Sequence, residues 1–216
     1  MEYIDKKDLF GIFTSIRDVI RINRDELIRL DSELGDGDLG LTMVKGFDSI
    51  VENLGNYADE TDIGKLLKKA GFIMSDAVPS TMGTFLSIAI LKSGDAVKGK
   101  DKIEPADMPV MLRNAIDAMV QRGKAKKRGD KTILDALFPA LDELEAALSA
   151  GKPIKDAVGA AYTGAKRGTE ETKKMKSTVG KAAVYQEQSI GKQDPGATVG
   201  MYIFEGIYKY LSGQKA

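Results

Sequence analysis

The chain has 216 residues, 43% hydrophobic and 30% charged, with 32 Lys+Arg against 32 Asp+Glu, and a chain of this size buries roughly 70% of the surface its unfolded form exposes. It contains no cysteine and no histidine, which excludes disulfide frameworks, thiolate metal sites, cysteine nucleophiles, Ser-His-Asp triads, phosphohistidine relays and HExxH zinc sites. Zero net charge argues against a nucleic-acid partner, and the lack of a basic-then-apolar leader or a bilayer-length apolar run predicts a cytoplasmic protein outside the membrane.

Helical periodicity runs through the chain. Leu9, Ile12, Phe13, Ile16, Val19, Ile20 and Leu27 recur at three- and four-residue steps, predicting one helix to about Leu30. Leu41, Val44, Phe47, Ile50, Val51 and Leu54 repeat the pattern after a glycine-rich break at residues 35–40. A third helix carries Leu66, Leu67, Ala70, Ile73 and Met74 and ends before Pro79, since the residue ahead of a proline avoids the α region. Phe85, Ile88, Ala89 and Leu91 mark a fourth, and Met108, Met111, Leu112, Ile116 and Met119 a fifth with Pro105 near its start. The sixth is expected from about Lys131 to a stop at Gly151, the seventh from Pro153, and the last from Pro195. Nothing alternates with period two for long enough to suggest a sheet. The expectation is all-α: about eight helices in an antiparallel bundle, with residues 1–216 as one domain.

Four connections are too rich in Gly, Asp, Thr and Lys for plain turns. In the first, Asp31, Asp36 and Asp38 fall within eight residues, and Gly35 to Gly40 formally spells GxGxxG. That motif belongs after a buried strand, whereas a helix precedes it here, and its two carboxylates would repel a bare pyrophosphate. An EF-hand fails as well, because Asp36 stands where a calcium loop starting at Asp31 needs glycine. Three carboxylates suit Mg²⁺, which takes oxygen ligands and binds through a few carboxylates plus substrate phosphates. The plain alternative is that Asp36 and Asp38 are helix N-caps and Asp31 a solvated helix end. The second connection, Pro79 to Gly83, leads into a helix whose first amides and hydroxyls suit a phosphate, with ordinary capping by Ser80 or Thr81 as the alternative. The third carries Lys124, Lys126, Lys127, Arg128 and Lys131, either a solvated run or counter-charge for a triphosphate. The fourth, Gln193 to Gly196, opens the last helix and reads equally as a capping turn or a ligand loop.

Taken in order, these segments resemble the nucleotide-binding L subunit of the dihydroxyacetone kinase family, the DAK2-type domain. The family's L-D-x-x-x-G-D-x-D-H-G appears as Leu30 to Gly40, followed by Met43 and Gly46-Phe47. Its R-G-K-A and G-D-K-T-M-x-D segments appear as Arg122 to Ala125 and Gly129 to Asp135. Its G-R-A-x-Y and S-I-G-x-x-D-P-G-A segments fall at Gly180 to Tyr185 and Ser189 to Ala197.

The resemblance implies a barrel of eight antiparallel helices with a nucleotide and two Mg²⁺ ions at one rim. It implies Asp31, Asp36 and Asp38 as metal ligands, and Leu39, Gly40, Leu41, Thr42, Thr81, Met82, Gly123, Ile133, Lys181, Asp194, Pro195 and Gly196 as contacts to ADP or ATP. It further implies a phosphotransferase that works with a separate K subunit, which holds a short hydroxyketone on a histidine this chain lacks. A phosphotransferase-system subunit as donor and a homodimer are further partners the family allows. The sequence departs from the family at three places: Leu39 replaces its histidine, Pro79 with Met82 replaces its G-G-A-S-G loop, and Lys181 replaces its arginine. These changes remove possible phosphate donors and leave room for another ketose, such as a tetrulose, beside dihydroxyacetone. A non-catalytic nucleotide sensor docking on a regulator or kinase is the reading from a different class.

Overall fold

The computed structural model describes residues 2–125 and 127–214. Among these residues nine α-helices form: α1 (Lys6–Ile22), α2 (Arg24–Ser32), α3 (Leu39–Leu54), α4 (Ile63–Ala77), α5 (Thr81–Ala96), α6 (Asp107–Arg122), α7 (Leu134–Ser149), α8 (Ile154–Glu171) and α9 (Pro195–Ser212). Eight of them, all but α2, succeed one another around a ring that closes where α9 packs on α1, and α2 packs against α3 and α9. The barrel expected from the sequence is therefore present, with one helix more than the eight expected.

The extra helix comes from a break inside the first predicted one. Asn23 leaves helical geometry at φ −100°, ψ 15°, and its side-chain Nδ2 donates to the Val19 carbonyl at 2.9 Å beside the backbone N–H of the same residue at 3.1 Å. Asparagine competes for backbone partners in this way, so the helix ends although its apolar pattern continues through Leu27. The sixth predicted helix also starts three residues later than expected. Lys131 sits in the left-handed region at φ +59°, which no α-helix accommodates.

A two-residue antiparallel pair, β1 (Ile4–Asp5) with β2 (Lys102–Ile103), joins the N-terminus to the approach of α6, with Ile4 opposite Ile103. Both isoleucines are buried; a pair this short leaves no alternation to read. Helix α1 then opens with a reciprocal cap, Asp8 N–H to Asp5 at 2.9 Å and Asp5 N–H to Asp8 at 3.1 Å.

The apolar stripes face inward. Ile20, Phe47, Ile50, Leu66, Met74, Ile116, Leu134 and Ile154 are among the side chains with almost no exposure. Along the interior a cavity of about 230 Å³ is lined by aliphatic and thioether groups, including Ile12, Leu86, Met108, Leu137 and Ile207. Helices α7 and α8 pack backbone to backbone. Pro139 inside α7 has no N–H for the Asp135 carbonyl, and there Gly168 approaches so closely that a Cβ would stand 2.0 Å from that oxygen.

At one end of the ring the starts of α3, α5, α7 and α9 meet the ends of α2 and α6 around a second, larger cavity. Helix starts carry unpaired N–H groups and the positive end of the helix dipole, so four of them at this rim offer donors suited to an anion.

Candidate functional site

The rim cavity has a volume of about 530 Å³. On one side lies the acidic loop between α2 and α3. Asp31, Asp36 and Asp38 each bring one carboxylate oxygen within 4.8 Å of the others. Tight turns allow this approach. Gly37 takes φ +73°, and Gly35 lets the Asp31 carboxylate lie against the backbone, since a Cβ there would stand 2.4 Å from Asp31 Oδ1.

The capping alternative for the loop fails at Asp38. That residue precedes α3 in the N-cap position, yet its side chain makes no capping bond. Asp31 accepts the Leu39 N–H at 3.3 Å. Burial raises the Asp31 pKa, the Leu39 hydrogen bond opposes that, and the nearby Asp36 and Asp38 raise it further. Asp36 is instead held below the usual carboxylate range, chiefly by its hydrogen bond to Lys181 Nζ. Three converging oxygens that repel one another form a donor set suited to a small divalent cation.

The capping alternative holds at Ser80, whose hydroxyl accepts the Gly83 N–H at 3.0 Å. Capping by Ser80 leaves Thr81, the first residue of α5, exposed on the cavity. At the start of α9, Asp194 caps through Ala197 N–H at 2.7 Å and Pro195 is the first helical residue. Burial pushes the Asp194 carboxyl up to about 7, against the lowering pull of the Ala197 N–H, with Asp135 adding to the rise and Lys131 opposing it.

Most residues expected in the site meet here. Leu39, Thr42, Thr81, Met82, Gly123, Ile133, Lys181, Asp194, Pro195 and Gly196 line the cavity with the three aspartates. Gly40 and Leu41 do not line it. Gly40 is packed against the Arg24 carbonyl and Ile28, and Leu41 is 58% exposed.

The basic run behaves differently from the expectation of shared counter-charge. Lys124 lines the cavity. Arg128 turns to Asp142 at 2.7 Å and lies over the Phe138 ring, Lys131 borders the cavity but is buried with its ammonium bonded to backbone carbonyls, and Lys126 lies outside the described residues. Sequence reasoning missed the apolar wall formed by Leu34, Phe85, Met119, Leu134 and Val179. Phe85, Met119 and Leu134 carry the same helical spacing as core residues, so periodicity had no way to separate them, and Leu34 and Val179 lie in loops where no periodicity applies. Arg122 and Thr132 also line the cavity, and their place in the R-G-K-A and G-D-K-T segments was the available signal.

A ring of helices with an acidic loop, four helix starts and an apolar wall at one rim defines a phosphate- and cation-handling site. The DAK2 domain model matches residues 33–209, and the chain belongs to that family. It is 30% identical over 202 residues to the ADP-binding subunit DhaL of the PEP-dependent dihydroxyacetone kinase of Escherichia coli, spanning 94% of this chain and 95% of the relative. It is 27% identical over 197 residues to L-erythrulose kinase of Pectobacterium atrosepticum, covering 91% of this chain but 33% of that protein. The dihydroxyacetone kinase of C. freundii superposes with a TM-score of 0.69 at 23% identity, over 93% of this chain and 34% of the other. That kinase has also been solved with AMP-PNP and Mg²⁺, with the same TM-score of 0.69. Among the described residues no helix is long and apolar enough to cross a membrane.

Proposed function

We propose that the chain is the nucleotide-binding subunit of a kinase for short hydroxyketones. In this reading ADP or ATP occupies the rim cavity, Asp31, Asp36 and Asp38 hold Mg²⁺, and a separate K-type subunit carries the ketone. The observation that carries the reading is the convergence of three carboxylate oxygens within 4.8 Å at the rim where four helices begin. The relatives named above, kinase subunits and kinases, support it.

Bound at these carboxylates, Mg²⁺ supplies positive charge against the phosphate oxygens; two ions fit the family pattern. The protein's own part is positioning and charge neutralisation. The first amides of α3, α5, α7 and α9 donate to the remaining phosphate oxygens, and the Thr81 hydroxyl adds a donor. Lys181, paired with Asp36, offers a point charge where an arginine would offer a planar fork. Leu39, with no donor of its own beyond its backbone, contributes surface to the cavity floor. Phe85, Met119, Ile133 and Val179 provide an apolar wall for the base.

The ketone needs another chain, because no histidine is present to hold it covalently. Dihydroxyacetone and a tetrulose both remain in the substrate class; the erythrulose kinases among the relatives support including the second.

Calorimetric titration with ADP and ATP, with and without Mg²⁺, tests the reading. Mg²⁺-dependent binding that Asp36→Asn abolishes is the expected result. ADP that co-purifies and resists exchange supports a relay recharged by a phosphotransferase-system donor, whereas freely exchanging ATP supports direct phosphorylation. Undiminished Mg²⁺-dependent binding in Asp36→Asn removes the acidic loop from the mechanism, and no binding by the parent chain ends the proposal.

A further inference from the structure

Lys131 is 2% exposed, an unusual place for an ammonium, which is costly to bury unless its protons are bonded. Its Nζ donates to three backbone carbonyls: Met175 at 3.1 Å, Lys192 at 2.7 Å and Ser189. Three acceptors match the three donors of an ammonium. None of the three belongs to α7. Met175 stands at the start of a strap that leaves α8 and its terminal 3₁₀ turn, and Ser189 and Lys192 stand where the strap returns to α9. Between these stems lie Val179, Gly180, Lys181 and Ala182, all of which line the rim cavity.

The neighbouring residue makes a second attachment. The Asp130 carbonyl accepts the Thr178 N–H at 3.5 Å and the Thr178 hydroxyl at 3.2 Å, and the Asp130 Oδ1 accepts that hydroxyl at 3.2 Å. Lys192 extends the binding to the acidic loop through the Glu33 carbonyl at 3.1 Å. The left-handed backbone at Lys131, φ +59°, is strained for a residue with a Cβ, and such strain persists where surrounding contacts over-determine it.

We propose that Lys131, seconded by Asp130, is a positioning residue: it cinches both stems of the 175–192 strap to the start of α7 and thereby holds Val179, Gly180 and Lys181 against the nucleotide. Its consequence for the nucleotide rests on the function proposed above; its consequence for the strap does not.

Two variants of the whole chain test this. Lys131→Met keeps the length and apolar stem of the side chain but leaves three carbonyls without their donor; Thr178→Val removes the hydroxyl bonds to Asp130 from the strap side. Trypsin cleavage after Lys176 and Lys181, followed by mass spectrometry, reads strap order without any ligand. Stopped-flow release of a fluorescent ADP analogue in Mg²⁺, and Mn²⁺ binding in the absence of nucleotide, read the site. In Lys131→Met, with helical circular dichroism retained, strap cleavage and ADP release each rise roughly tenfold or more, as expected for loss of a charge-assisted bond set. Mn²⁺ affinity is not weakened, a split that a general loss of stability would not give. Thr178→Val gives about a threefold rise in cleavage, and it decides the matter alone if Lys131→Met does not fold. Cleavage rates equal to the parent's overturn the proposal. A parent chain that binds no nucleotide defeats the functional reading while the cleavage comparison still decides the strap.

Discussion

Gly35 makes room for the carboxylate beside it: a Cβ there would stand 2.4 Å from Asp31 Oδ1 and 2.8 Å from the Asp31 carbonyl. Gly35→Ala is therefore expected to push the carboxylate out of the cluster. Mg²⁺-dependent ADP affinity then falls at least ~10-fold, the loss of one charged ligand, while circular dichroism stays that of the parent; calorimetry with unchanged affinity would contradict it. Asp194 yields a pH prediction. Its buried carboxyl titrates at about 7, against about 3.9 in an unfolded chain. Below the lower value both states are protonated. As pH climbs from there to 7, the unfolded chain releases its proton and the folded one retains it, so stability falls across that window and is level above it, by ~4 kcal/mol at most. Asp36, Glu60 and Asp95, held low by hydrogen bonds, act at the acid side of this window. Asp194→Asn keeps a capping acceptor and removes the titration. Between pH 5 and pH 8 its unfolding free energy, measured by urea denaturation, should improve relative to the parent by about 2–3 kcal/mol; a constant difference would show that the buried proton is absent. At this scale the acidic loop was legible because its three carboxylates lie within eight residues of one another. Lys131 was legible only as a charge, since its three carbonyl partners lie 44 to 61 positions away.

Between helices, backbone contact decides what can change. On α8, Gly168 presses on the Asp135 carbonyl of α7, and Gly164 stands where a Cβ would be 2.4 Å from the Pro139 carbonyl. Those oxygens belong to main chain and have no rotamer into which to retreat. Gly168→Ala should cost about 1–3 kcal/mol, lowering Tm by roughly 2–4 °C per kcal/mol for a chain this long. Gly55 is the matched control: it is helical at φ −59° with nothing within 4 Å of a Cβ, so Gly55→Ala should be neutral or raise stability by up to ~1 kcal/mol. Calorimetric melting of the two decides; equal shifts would mean the α7–α8 approach does not limit stability. Helix positions were legible from three- and four-residue spacing, and proline and glycine marked several of the ends. The break at Asn23 was hidden because the apolar stripe runs on across it. The same spacing places Phe85 on a helix, but a stripe cannot say whether it faces a neighbour or a ligand.

As a whole, the barrel gathers one chemistry at one rim. Three carboxylates, four helix starts and the strap converge there, whereas the interior is apolar. Such a rim can hold a phosphorylated nucleotide, yet the chain has neither histidine nor cysteine, so it lacks the side chain on which a K-type subunit holds its ketone. Phosphoryl transfer demands that donor and acceptor oxygens be held in line at close range. A chain that fixes only the donor side therefore depends on a second subunit to bring the acceptor. The purified chain with ATP, Mg²⁺ and dihydroxyacetone or erythrulose should form no ketose phosphate by ³¹P NMR. Adding a K-type subunit should start turnover, with the ketone preference following whichever K subunit is supplied. In that mixture Asp36→Asn should reduce the rate at least ~100-fold, in the range seen when a charge-stabilising group is removed from a transition state. Ketose phosphate formed by the chain alone would refute the divided site, and so would a ketone preference that stays fixed when the K subunit is exchanged.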